Sequence, residues 1–163
     1  MKNLRVFLMV SFYDEEILIR LLELIHDKVG KYDYFTQNIY LDNNNVSDKL
    51  RKKIRIFSFK KLIQKDDLEN YFYTINKLIY IVKNDQANSF FGYVGYMSKF
   101  HVVSLSGEES PLYLQIGKKL FGKIELLIEN RKLISMDGNN ELFSNKFSIR
   151  FFEDLYRIYT KNT

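Results

Sequence analysis

The chain has 163 residues, 25 Lys and Arg against 20 Asp and Glu, a net charge of +5 and no cysteine. This length suits one domain over residues 1–163, and 46% hydrophobic with 16% aromatic residues argues for an ordered core rather than disorder. The missing cysteines exclude disulfides, thiolate zinc sites and cysteine nucleophiles together.

Leu4–Ser11 is a continuous apolar run of strand formers, of a length that fits a buried strand. Its core, Val6–Val10, is too short for a signal peptide or a membrane span, so a cytoplasmic setting without membrane contact is expected. Asp14 offers an N-cap, and Glu15 and Glu16 suit the positive end of a helix dipole. From Ile17 to Val29 the polar positions recur three or four apart, which predicts a largely covered helix capped at Gly30. Tyr32–Leu41 reads as a second strand ending in the turn cluster Asp42-Asn43-Asn44-Asn45, and Ile54–Phe59 as a third.

Asp66 and Glu69 have the spacing of a capping box. Leu68, Tyr71, Phe72, Ile75, Leu78, Ile79 and Val82 then fall on one helical face, and Lys83-Asn84-Asp85 ends that helix. Further strands are predicted over Phe90–Tyr96, Phe100–Leu105, Leu112–Ile116, Leu120–Ile128 and Leu133–Met136. Ser106-Gly107-Glu108, Glu129-Asn130 and Asp137-Gly138 mark turns. From Phe147 onwards, Phe151, Phe152, Leu155, Tyr156 and Tyr159 give a terminal amphipathic helix. The expected fold is α+β: an antiparallel sheet with a βαββαβ (ferredoxin-like) start, a C-terminal β-meander and a terminal helix.

Little in the chain carries chemistry. Gly117-Lys118-Lys119 lacks both the early glycine, which is Leu112 here, and the following hydroxyl of a P-loop. His26 and His101 are the only histidines, and imidazole metal sites need several ligands placed together. Ser104 lies three residues from His101, a spacing that sends the two side chains to opposite faces of a strand. The acidic pairs Glu15-Glu16, Asp66-Asp67, Glu108-Glu109 and Glu153-Asp154 suit helix starts, a turn and a solvated helix face. No catalytic residue, metal ligand or cofactor is expected.

The basic segment 49–61 stands apart. Lys49, Arg51, Lys52, Lys53, Arg55, Lys60 and Lys61 occur there without an acid, and without them the rest of the chain would be slightly acidic. Such a segment can neutralise phosphates, with Phe57, Phe59 and nearby tyrosines stacking on unpaired bases. The competing explanation is a solvated strand face whose lysines protect a sheet edge.

Leu50–Leu68, with Phe57-Ser58-Phe59, Leu62-Ile63 and Leu68, and Gly95–Leu126 together resemble an uncharacterised bacterial family of unknown function. Some of its members are labelled GTP-binding. Where that family has Asn-Leu-Asp-Pro-Gly-Tyr, this chain reads Phe91-Gly92-Tyr93-Val94-Gly95-Tyr96. Its Ala-Ser-Thr-Lys is similar only to Val103-Ser104-Leu105-Ser106, and its His-Arg stands where Ser110-Pro111 lies here. Its Gly-Ile-Tyr-Ala-Glu aligns with Lys119-Leu120-Phe121-Gly122-Lys123. The resemblance implies a diverged member that keeps the apolar frame and lacks the ionisable motif residues.

Three functional expectations result. The first is a non-catalytic binding module for a protein partner or for self-association, with the abundant Tyr and Phe as interface anchors. The second is nucleic-acid binding, to RNA or single strands, through the basic segment. The third is a nucleotide or sugar-phosphate pocket around the remaining polar positions of the family's motif region: Tyr96, Ser98, Lys99, Ser104 and Tyr113.

Overall fold

The apolar run near the N-terminus becomes the centre of the molecule. In the computed structural model, which describes residues 3–41, 51–84 and 90–161, it forms β1 (Asn3–Phe12), buried from Leu4 onwards. Val6, Leu8, Val10 and Phe12 face one hydrophobic layer, and Phe7 and Met9 the other. A strand covered on both faces has no polar side to show. Its sequence is therefore a continuous run rather than an alternation.

The remaining elements in chain order are α1 (Glu15–Lys28), β2 (Tyr32–Phe35), β3 (Lys53–Phe59), β4 (Ile63–Gln64) and α2 (Leu68–Asn84). They are followed by β5 (Phe91–Met97), β6 (His101–Ser106), β7 (Leu114–Gln115), β8 (Phe121–Glu129), β9 (Lys132–Ser135), α3 (Glu141–Ser144) and α4 (Lys146–Lys161). All strand pairings are antiparallel, and the path through the nine-stranded sheet is β2-β3-β1-β5-β6-β8-β7, with β4 on β1 and β9 on β8. The chain is thus α+β, and the meander extends the same sheet. β1 and β2 run in one direction with β3 between them, and β3 and β5 in the other with β1 between them.

Helices α1 and α2 pack through Leu18, Leu21, Ile25, Phe72, Ile75 and Ile79 on one face of the sheet. Phe151, Phe152, Leu155 and Tyr159 of α4 cover the other, where the Phe152 ring meets Phe7 edge-on at 4.8 Å. Asp14 caps α1 by accepting the Glu16 N–H at 2.9 Å. Gly30, at φ 145°, donates to Ile25 O and turns the chain out of that helix, as its position predicts.

Several expectations are corrected. The second strand is only Tyr32–Phe35, because its register shifts between Tyr32 and Tyr34 and only a single bridge, Ile39 to Ile54, follows. Leu112–Ile116 shrinks to the two residues of β7. β4, α3 and a 3-10 turn at Lys65–Asp67 have no counterpart in the sequence reading. Glu69 does not close a capping box with Asp66; its carboxylate accepts the Lys119 N–H instead. The turn cluster 42–45 lies outside the described residues.

Candidate nucleic-acid interface

The basic segment is not one surface. Lys49 lies outside the described residues. β3 is an interior strand between β2 and β1, so its cations protect no edge. Lys53 is 4% exposed and donates to Tyr13 O at 3.0 Å. Arg55 lies against the rings of Phe57 and Phe35, at 4.9 and 5.4 Å, and donates to Thr36 O. Burial lowers its pKa, an effect that Tyr32 and Glu15 partly offset. Arg51 sits over the Tyr40 ring at 3.9 Å, with exposed Lys52 beside it. Lys60 and Lys61 are exposed beyond the opposite end of β3. The segment's outward-facing charge is therefore split between the two ends of the sheet.

At the end where β1 begins, Lys60 and Lys61 meet cations from other parts of the chain. The pairing of Phe7 with Ser58 brings the close of β3 there, and Arg5 with Met97 the close of β5. His101 with Leu127 and Glu129 with Lys132 bring the start of β6 and the β8–β9 turn. The Lys60 N–H donates to Lys31 O, and α1 ends at Lys28. The Tyr159 hydroxyl donates to Asn3 O at 2.8 Å and fixes the last turns of α4 at the same end. Lys28, Lys31, Lys60, Lys61, Lys65, Lys99, Arg131, Lys132, Arg157 and Lys161 are all exposed there.

Three of the acids at this end are already engaged. Asp33 accepts the buried Arg5 guanidinium through both carboxylate oxygens, and Asp154 pairs with Arg157 and accepts the Tyr34 hydroxyl. Asp27 pairs with Lys28 at 3.7 Å, and Asp66, Asp67 and Glu129 are exposed among the lysines. The acids Asp14, Glu15, Glu16, Glu108, Glu109 and Glu141 sit at the opposite end, where they are mixed with Arg51, Lys52, Lys83 and Lys146.

The five residues of the expected phosphate pocket do not converge. Tyr96 packs into the α1/α2 layer, and burial raises its pKa. Ser104 pairs with Gly95 and so faces the α4 side, donating to Glu125 at 2.9 Å. Ser98 is buried in the β5–β6 turn, Lys99 stands exposed at its tip, and Tyr113 lies before β7. Glu125 is 2% exposed and also accepts from Asn140 at 2.9 Å. This carboxylate ties β6 and β8 to the start of α3 and lies 3.8 Å from the Lys123 ammonium, so its oxygens are engaged within the fold. The loop at Gly117-Lys118-Lys119 does hold an anion, but it is the Glu69 carboxylate.

No group of three or more His, Asp or Glu side chains able to hold a metal ion occurs among the described residues, and no helix there is long and apolar enough to cross a membrane. The chain matches no family model, no curated protein and no solved structure.

Proposed function

We propose that this protein is a nucleic-acid-binding module that engages phosphates through the basic end of its sheet. The observation carrying this reading is that exposed lysines and arginines from separate segments share one end of the molecule, while Asp33 there is occupied by the buried Arg5. A phosphate backbone meeting that end releases counterions, which makes affinity strongly dependent on salt. The module is read as a cytoplasmic bacterial protein and as a diverged member of the family of unknown function that it resembles.

The test is fluorescence polarisation of a labelled random RNA or DNA pool at about 50 and 200 mM salt. Affinity is expected to fall about tenfold or more over that range. The triple variant Lys31→Glu, Lys60→Glu and Lys61→Glu should lose binding while keeping its melting transition, since all three side chains are exposed. Absence of binding at low salt would assign these cations to helix ends and turns. Protein interaction would then be the reading to pursue, through exposed apolar side chains such as Leu112, Leu114 and Met136.

A further inference from the structure

We propose that two adjacent hairpin tips at the basic end select unpaired nucleotides, with a base stacking on Phe100 and Arg131 holding a neighbouring phosphate. This rests on the nucleic-acid reading above and names its substrate class: single strands rather than duplex.

The first tip is the β5–β6 turn. Phe100 is 48% exposed there, with the Lys99 ammonium 5.9 Å from its ring centre. Its backbone is held from three sides. Ser98 Oγ accepts the N–H groups of Phe100 and His101 at 3.3 and 3.1 Å, and Phe100 O accepts the Ile128 N–H at 2.8 Å. A large half-exposed ring, set edge-on to His101, is therefore carried on a fixed turn beside a cation. That is the arrangement a stacking platform needs, because an ordered support spares the cost of ordering it on binding.

The second tip follows β8, which pairs with β6. Asn130 and Arg131, between the paired residues Glu129 and Lys132, have φ of 51° and 65°. Both central residues of this two-residue hairpin are left-handed, a turn that favours Asn at the first position and Gly at the second. Asn130 fits that preference. Arg131 does not, and a side chain with a Cβ costs stability in this conformation. Its exposed guanidinium makes no hydrogen bond or ion pair among the described residues that would repay the fold. A cation kept at an unfavourable backbone position, on the hairpin next along the sheet from a half-exposed ring, points to a ligand.

A duplex keeps its base faces stacked inside, whereas a single strand offers them to an aromatic ring. The test titrates labelled RNA and DNA strands, and the corresponding duplexes, into the full chain at low salt. The wild-type protein should bind strands more tightly than duplexes, and a preference for RNA over DNA would report contact with the 2′-hydroxyl. Phe100→Ala should weaken strand binding about tenfold and leave duplex binding unchanged, while Phe100→Tyr retains strand binding. Arg131→Gly should raise the melting temperature yet weaken binding, a combination that a purely structural role cannot produce. Equal affinity for strand and duplex, with Phe100→Ala indifferent, would overturn this inference and leave salt-dependent binding at the basic end standing. Binding of neither would overturn both.

Discussion

Arg5 and Asp33 form an ion pair of unequal halves. The Arg5 side chain is 3% exposed and that of Asp33 30%. Arg5 Nε also donates to Ser58 Oγ at 3.0 Å, so the guanidinium is held from two strands. Removing the acid leaves a buried cation without its counter-charge, while removing the base leaves a carboxylate that water can reach. Asp33→Ala should therefore cost about 3 kcal/mol, and Arg5→Met, which keeps most of the apolar volume, about 1 to 2. Equal losses, or the reverse order, in urea melts of the two variants would contradict this asymmetry. Gly95 gives a second residue-scale test. A Cβ there would lie 2.3 Å from Phe7 Cζ and 2.4 Å from Val103 O, one of them backbone and neither free to move far. Gly95→Ala should lower stability by about 3 kcal/mol, visible as a fall in melting temperature. Gly95 thus has a packing reason that needs no site.

Elements set by their own periodicity were legible in the sequence; those set by their neighbours were not. β1, α1, α2 and α4 carry long apolar patterns and lie close to their expected bounds. β4 and β7 have only two residues each, and pairing with β1 and β8 defines them. The existence of β4 is a property of the sheet that no local pattern encodes, whereas β7 is the paired part of the strand expected over Leu112–Ile116. The turn leading from β9 into α3 is similar. Asp137 accepts the Asn139 N–H and the Lys123 ammonium, and these bonds draw its carboxyl below the usual aspartate value. A pKa lower in the folded chain than in the unfolded one means this turn's contribution is present above the ordinary carboxylate pKa. It is lost as the pH falls through the folded value. In a carbon-detected NMR titration Asp137 should titrate below the ordinary aspartate value. Asp137→Asn should flatten the acid limb of the stability curve, and an Asp137 midpoint at or above the ordinary value would contradict this account of the turn.

At the scale of the whole molecule, the candidate interface was only partly visible in the chain. Lys60 and Lys61 stood out because they belong to a dense basic segment, but Lys28, Arg131 and Lys161 lie far away in sequence and gave no signal, and Lys99 was expected in a different pocket. Strand register brings them to one end, and register is fixed by the two buried faces of the sheet. The same register sends Lys52 to the opposite end. Lys52 and Lys60 therefore make a matched pair: both exposed lysines flanking β3, and each reversed by one substitution to Glu with the same change in net charge. At a strand rise of about 3.3 Å per residue they stand roughly 25 Å apart, about three Debye lengths at physiological salt, so neither acts at the other's end. Lys60→Glu should weaken nucleic-acid binding several-fold and lower the slope of log affinity against log salt by about 0.7 to 1, as loss of one phosphate contact requires. Lys52→Glu should leave both nearly unchanged. Equal losses from the two variants would mean that net charge or the contiguous segment governs binding, and that the end of the sheet is not the interface.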